Sequence, residues 1–231
     1  NKIKAFRVSF KESNSAMATS EEFPMMPERI LADTREAMPD DAIITTDVGW
    51  NKNGVGQQFD ILTPGSILTP GGFATMGFGP PAAIGAKIAN PDRVVISLVG
   101  DGGFGQNPAM LATAVEQNLG IVWIVMNNNA FGTIAGLQKA HYGVTYGTVF
   151  PGQVGDNKIT PNYADIAKAY GANGIRISSA KELLPTLQDA IKSGKPTVID
   201  VAMINNPTPT TGHWNILDIY SPNDKISHVS T

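Results

Sequence analysis

Val99-Gly100-Asp101-Gly102-Gly103-Phe104 closes an apolar run that starts at Arg93, and Val125-Met126-Asn127-Asn128-Asn129 closes the next one. The first stretch puts a carboxylate in a glycine turn; the second puts a carboxamide at a strand end. Glycines after a strand also serve tight βα turns, and an Asp there can simply cap the following helix. The spacing adds information. Asn128 follows Asp101 by 27 positions, about one strand–helix–strand crossover. The two side chains can then sit at neighbouring strand ends and share one cation. Two hard oxygen donors suit Mg²⁺ carrying a phosphate. The glycines expose N–H groups at a helix start, where a diphosphate can dock.

Outward from this pair, apolar strands alternate with helical spacings. Strands are expected over Ala42–Thr46, Arg93–Val99, Ile121–Met126, Gly174–Ile177 and Thr197–Met203. Helices are expected over Pro27–Met38, from Pro80 through Lys87, and over Gln106–Gln117, Tyr163–Tyr170 and Ser179–Ser193. Pro27 suits a first helical turn, and Ser178 or Ser179 with Glu182 suits a capping box. The strands are continuous apolar runs, as in a parallel sheet covered on both faces. The expected fold is therefore α/β, doubly wound, with a mainly parallel sheet. Ligands on such sheets bind beyond the carboxyl ends of the strands, where Asp101 and Asn128 both fall. Residues 1–24 read as a linker or strap from a preceding domain, 25–205 as the diphosphate- and Mg-binding domain, and 206–231 as a C-terminal tail able to act as a lid.

A chain of 231 residues can bury a substantial core. Its formal net charge of -3 provides no basic surface for nucleic acid or anionic membrane. It has no cysteine, which excludes disulfides, thiolate nucleophiles and zinc–sulfur sites. The longest apolar stretch, Leu119 to Met126, is too short to span a bilayer. With no visible signal peptide, the expected location is the cytoplasm.

Gly-Asp-Gly followed by Asn-Asn at this spacing resembles the thiamine diphosphate signature of the acetolactate synthase and 2-oxo acid decarboxylase superfamily. Phe73-Ala74-Thr75-Met76-Gly77-Phe78-Gly79-Pro80-Pro81-Ala82-Ala83-Ile84-Gly85-Ala86 is similar to the Gly-Thr-Met-Gly-Phe-Gly-Leu-Pro-Ala-Ala-Ile-Gly-Ala stretch of acetolactate synthases. The resemblance runs from about Met25 to Met203. It implies that Asp101 and Asn128 bind Mg²⁺ through side-chain oxygens and Ala130 through its backbone carbonyl. It implies that Gly102 and Gly103 offer N–H groups to the diphosphate, and that Phe131, Gly132 and Thr133 line the pocket. Met76 matches the apolar wedge that bends the two cofactor rings together, so that the 4′-amino group reaches the thiazolium C2 proton. Ala74 stands where the family has a glycine whose carbonyl accepts from that amino group; alanine can do this at a negative φ. In Asp47-Val48-Gly49-Trp50-Asn51-Lys52-Asn53, Asn51 matches a family contact to the diphosphate and Asn53 is a second candidate. Trp50 and Lys52 depart from the synthase pattern.

The family also needs a glutamate on N1′ of the pyrimidine, carried by a separate pyrimidine-binding domain or subunit. None of Glu12, Glu21, Glu22, Glu28, Glu36, Glu116 and Glu182 sits in such a motif. The chain therefore resembles only the diphosphate half of the enzyme. It reads as a fragment of a longer polypeptide, because Asn1 to Ser20 resembles an interdomain strap; a natural split subunit is the other reading. The resemblance implies a homodimer or tetramer of the full enzyme. It also implies a small 2-oxo acid or related carbonyl substrate, and C–C bond cleavage or formation next to that carbonyl. Leu137 replaces the tryptophan that shapes the second-substrate pocket of acetolactate synthases, so decarboxylation stays open beside carboligation. His141 and His213 are the candidate proton shuttles, each with a plainer reading as a surface or interface residue; His228 belongs to the tail. Two remote alternatives are a non-catalytic binding module and a nicotinamide-dependent oxidoreductase. In the latter Asp101 would confront a pyrophosphate without a metal, and Asn128 stands where a ribose-binding acid belongs.

Overall fold

The computed structural model describes residues 2–150, 153–154, 157–158 and 161–205. In chain order the elements are α1 (Lys2–Ala18), α2 (Pro27–Ala37), β1 (Ile43–Thr46), α3 (Trp50–Gln58), β2 (Ile67–Leu68) and α4 (Gly79–Ala89). Next come β3 (Val95–Gly100), α5 (Asp101–Phe104), α6 (Met110–Glu116), β4 (Ile121–Asn127) and α7 (Gly132–Tyr142). The short pair β5 (Gln153–Val154) and β6 (Asn157–Lys158) precedes α8 (Tyr163–Ala169), β7 (Asn173–Ile177), α9 (Leu183–Ser193) and β8 (Thr197–Ala202).

Six strands form one sheet in the order β2-β1-β3-β4-β8-β7, and every pairing in it is parallel. The apolar runs are explained by burial on both faces. Ile44, Ile96, Leu98, Val122, Ile124, Met126, Ile199 and Val201 pack with residues of α2, α3 and α9. Their alternating neighbours Ile43, Val95, Val99, Ile121, Trp123, Val125 and Val198 pack with α4, α6 and α8. All seven residues of β4 are buried, as a central strand with two covered faces requires. The one polar group of Trp123 is satisfied, its indole N–H donating to the Pro80 carbonyl at 3.2 Å. Among the described residues no helix is long and apolar enough to cross a membrane.

Two segments read as irregular are helical. The first residues, expected to be a strap, form α1, which buries none of its own residues. The stretch after β1, expected to be a loop, turns into α3 at Trp50. Gly54 and Gly56 lower its helix propensity, but the Trp50 ring occupies the space where a Cβ on Gly54 would sit, only 2.3 Å from it. The expected capping box is half formed: Glu182 accepts from the Ser178 N–H at 3.0 Å and from the Ser178 hydroxyl at 2.7 Å. These bonds hold the Glu182 carboxyl below its usual range.

Candidate functional site

The carboxyl ends of β1, β3 and β4 lie side by side, since β3 pairs with both of the others. A cleft opens above them, and Asp101, Asn128, Ala130, Gly102, Gly103 and Met76 all line it. Phe131, Gly132, Thr133 and Asn51 join them on its walls.

Asp101 follows β3 directly and is 3% exposed. Its Oδ1 accepts from the Gly102 N–H at 2.9 Å and its Oδ2 from the Ala130 N–H at 3.2 Å. Burial pushes its carboxyl up to about 6, against the pull of these amide donors. Among the described residues no Lys, Arg or His forms an ion pair with it. A buried carboxylate held only by amides is poised to gain from a cation.

Ala130 faces this carboxylate through its backbone. It forms an antiparallel bridge with Val149, flanked by the Phe131 N–H to Thr148 carbonyl bond at 2.8 Å and the Phe150 N–H to Asn129 carbonyl bond at 2.9 Å. That is the non-hydrogen-bonded type of pair, in which a residue's own N–H and C=O both point away from its partner. The Ala130 N–H goes to Asp101, so its carbonyl is turned to the same side. Among the described residues nothing donates to that carbonyl.

The two asparagines divide their roles. Asn127 is 3% exposed and donates to Asp200 Oδ1 at 3.0 Å, which ties β4 to β8. Asn128 lines the cleft; its Nδ2 donates to Asn205 at 3.3 Å, and nothing among the described residues donates to its Oδ1. A Cβ on Gly132 would lie 2.5 Å from the Asn128 Nδ2, so glycine at the start of α7 leaves the room this side chain occupies. A carboxylate, a carboxamide and an orphaned carbonyl make an all-oxygen donor set. Its chemistry fits a hard ion such as Mg²⁺.

The glycines form a floor that larger residues would fill. A Cβ on Gly102 would meet the Phe131 ring at 2.5 Å and the Met76 Cε at 3.1 Å, and one on Gly103 would meet Asp47 Oδ1 at 2.6 Å. The N–H of Gly102 is engaged by Asp101, whereas that of Gly103 has no partner among the described residues. Phe131 stacks edge-on against Phe150, ring centres 4.8 Å apart. The N-terminus of α7 opens beside Thr133, giving partial positive charge on the cleft side.

Other expected site residues lie elsewhere or are occupied. The Asn51 amide is committed locally, accepting from the Asp47 N–H at 2.9 Å and donating to the Val48 carbonyl at 3.2 Å. Asn53 is on α3, outside the residues lining the cleft. Ala74, able to offer its carbonyl at a negative φ, has a φ of +48, and it too is absent from the lining. A turn closed by the Ala74 N–H on the Gly71 carbonyl at 3.1 Å accompanies that left-handed conformation. Lys52 donates to the Pro70 carbonyl at 2.9 Å instead of facing the cleft. His141 is exposed and lies about 13 Å along α7 from Gly132, so it does not join the site. His213 and His228 lie outside the described residues. No glutamate is among the residues lining the cleft.

Three residues near the cleft were not read as functional. Asp200, fully buried on β8, accepts from Asn127 and from the Tyr163 N–H at 3.2 Å; burial raises its carboxyl. The Tyr163 hydroxyl donates to the Asp101 carbonyl at 3.2 Å, and burial raises its phenol too. Asp47, also fully buried, gathers three backbone amides at the end of β1. The only local signal for these three was an acid at a strand end or an aromatic at a helix start.

Comparison with known proteins agrees with this geometry. Residues 47–201 match the family model described as "Thiamine pyrophosphate enzyme, C-terminal TPP binding domain". The chain is 34% identical over 230 residues to a probable acetolactate synthase large subunit of Methanococcus aeolicus, covering 94% of this chain and 37% of that protein. It is 38% identical over 164 residues to the acetolactate synthase isozyme 1 large subunit of Escherichia coli K12, covering 70% of this chain and 28% of that one. Among solved structures, the thiamine diphosphate-dependent 4-hydroxybenzoylformate decarboxylase of Rhodococcus jostii RHA1 superposes with a TM-score of 0.73 at 28% identity, covering 82% of this chain and 34% of the other. The chain thus spans about a third of the length of these relatives. With its parallel sheet, its glycine-floored cleft and the match over residues 47–201, it belongs to the family of C-terminal TPP-binding domains of thiamine pyrophosphate enzymes.

Proposed function

We propose that this chain is the diphosphate- and Mg²⁺-binding part of a thiamine diphosphate-dependent enzyme that cleaves or forms C–C bonds next to a carbonyl, of the acetolactate synthase type. The observation that carries this is the convergence of the Asp101 carboxylate and the orphaned Ala130 carbonyl on one side of the β3 and β4 ends, with Asn128 in the same cleft. Asp101, Asn128 and the Ala130 carbonyl would hold the ion. The Gly103 N–H and the N-terminus of α7 at Gly132 and Thr133 would face the diphosphate, with Phe131 packed beside it. Gly102, whose N–H is held by Asp101 Oδ1, would line the diphosphate site beside Gly103.

Thiamine diphosphate, when bound, supplies an electron sink for breaking or making a bond at a carbonyl carbon. The protein's part is to anchor and orient. Met76 and Phe131 both reach the space over Gly102 and would fix the ring end relative to the metal end. The proton relay on the pyrimidine would come from a glutamate of a pyrimidine-binding domain or subunit. Phe73 and Phe78, on either side of Met76 in the chain, and Ile134, which lines the cleft, are exposed apolar side chains, as expected of a surface that another domain covers.

Decarboxylation is the second reading. It is favoured by Leu137 in place of the synthase tryptophan and by the likeness to a decarboxylase structure. The test is calorimetric titration of thiamine diphosphate with Mg²⁺ into the chain, alone and with a pyrimidine-binding partner, followed by a screen of 2-oxo acids with and without an acceptor. Binding that needs Mg²⁺ and strengthens with the partner supports the proposal. Binding of NAD in its place overturns it.

A further inference from the structure

Asp47 is fully buried at the carboxyl end of β1. Its Oδ1 accepts from the N–H of Val48 at 2.8 Å and from that of Gly77 at 3.1 Å; its Oδ2 accepts from Gly79 at 2.8 Å. No cation pairs with it among the described residues, so backbone amides alone solvate the group. Two of these amides belong to the segment that carries Met76. Gly77 follows Met76 directly, and Gly79 opens α4.

The upstream end of the same segment is tied as well. Lys52 donates to the Pro70 carbonyl at 2.9 Å. Between the two ties, Gly71, Gly72, Phe73 and Thr75 are exposed, and little else fixes them. The height of Met76 over the cleft is therefore set at its Gly77 side, by Asp47. The same carboxylate also touches the cleft floor. A Cβ on Gly103 would fall 2.6 Å from Asp47 Oδ1, while Met76 Cε lies 3.1 Å from where a Gly102 Cβ would be. One buried side chain thus contacts both the floor that would take the diphosphate and the segment that presents the wedge.

We propose that Asp47 is a positioning residue that clamps the Met76 segment to the cleft floor and so sets the distance between the anchoring end and the ring-bending end of the cofactor site. This rests on the reading of the cleft as a thiamine diphosphate site. Asp47 touches no reacting atom. It acts through the backbone of Gly77 and Gly79, and its carboxylate geometry is what matters. An amide of the same size can accept at one of these positions but presents an N–H₂ to the other.

The test compares wild type with Asp47→Asn, in the chain combined with its pyrimidine-binding partner. Amide hydrogen exchange at Gly77 and Gly79 is expected to speed up about tenfold or more without ligand, while the Gly102–Gly105 segment changes by less than about threefold. Affinity for inorganic pyrophosphate with Mg²⁺ is expected to stay within about threefold, and affinity for thiamine diphosphate with Mg²⁺ to fall about tenfold or more. That split marks positioning of the rings, because general loosening weakens both ligands together. Equal loss of both ligands, or unchanged exchange at Gly77 and Gly79, overturns the proposal. Wild type that binds neither ligand overturns instead the reading of the cleft, and with it the role given to Asp47. Should Asp47→Asn fail to fold, Gly77→Ala loosens the same segment with Asp47 intact, since Gly77 has a φ of +86. That variant must show the same split between ligands, and wild-type binding of thiamine diphosphate by it overturns the clamp.

Discussion

The Ala130 N–H donates to Asp101 Oδ2 at 3.2 Å, across the gap between the ends of β4 and β3. This bond orients two of the proposed metal donors at once. It fixes one carboxylate oxygen, and it turns the Ala130 carbonyl to the same side because an extended residue carries both backbone groups on one edge. A backbone donor is indifferent to its side chain, so alanine serves here as well as any residue.

Asp101 is expected to make the protein respond oppositely to pH without and with a bound metal. Burial raises its carboxyl from 3.8 to about 6, so in the absence of metal the native state holds the proton more tightly than the unfolded chain. Stability lost by ionising a buried acid is therefore regained as pH falls from above 6 toward 4. The gain is on the order of 2–3 kcal/mol for a shift of this size. Asp33 and Asp200, raised by the same cause, act in the same direction. Metal binding has the opposite sign, because the ion takes the deprotonated oxygen. Below about pH 6, Mg²⁺ affinity is expected to fall by up to about tenfold per pH unit. Thermal melts between pH 4.5 and 8, with and without Mg²⁺ and pyrophosphate, check both limbs.

Ala74 is strained where a glycine would not be. Its φ of +48 is a left-handed conformation that costs an L-residue about 1–2 kcal/mol. Ala74→Gly is expected to stabilise the chain by about 0.5–1 kcal/mol, the greater freedom of glycine in the unfolded chain offsetting part of the relief. Ala74→Val is expected to destabilise it. Denaturant midpoints at a constant slope are the measurement. The reverse order would mean that the turn does not hold this conformation in solution.

Much of this architecture was legible because it is local. Apart from Ser97, the runs Val95–Val99 and Ile121–Met126 are continuously apolar, as suits a strand covered on both faces. Asp101 and Asn128 follow directly as side chains at adjacent strand ends. What stayed hidden depends on partners distant in sequence. Nothing in Asp47-Val48-Gly49 indicates that Gly77 and Gly79 will bring their amides to Asp47. Nothing in the pair Asn127-Asn128 says that the first is drawn inward by Asp200 and only the second faces the cleft. The helix at Trp50–Gln58 is hard to read because its glycines argue against it, while the Trp50 ring fills the space a Gly54 side chain would take. His141 stands in the last turn of α7, outside the residues lining the cleft.

Gly102→Ala tests whether the floor must stay bare. The added methyl would lie 2.5 Å from the Phe131 ring and 3.1 Å from Met76 Cε. Both neighbours are side-chain ends able to move, so the fold is expected to lose no more than about 1–2 kcal/mol. The displaced Phe131 and Met76 would then intrude on the cleft. Affinity for thiamine diphosphate is expected to fall about ten- to a hundredfold by titration, far more than the change in melting temperature would suggest. Retained affinity would show that the rings do not pass over Gly102.

Tyr163 and Asp200 connect the proposed metal site to the far half of the sheet, and they separate stability from binding. Asp200→Ala strips partners from the Asn127 Nδ2 and the Tyr163 N–H, two buried donors left unsatisfied at about 1–3 kcal/mol each. It is expected to destabilise the chain by about 2–4 kcal/mol and to weaken metal binding through the freed Asn127-Asn128 segment. Tyr163→Phe removes only the hydroxyl that donates to the Asp101 carbonyl, and the edge-on packing on Phe104, with ring centres 5.6 Å apart, remains. Its stability loss is expected to be about 1 kcal/mol, with Mg²⁺ affinity reduced by about two- to fivefold, since the Asp101 carboxylate keeps its own two amide donors. Urea denaturation beside Mg²⁺ titration of both variants checks the order. If Tyr163→Phe abolished metal binding while Asp200→Ala spared it, the site would depend on Asp101's backbone and not on the alignment of the two strand ends.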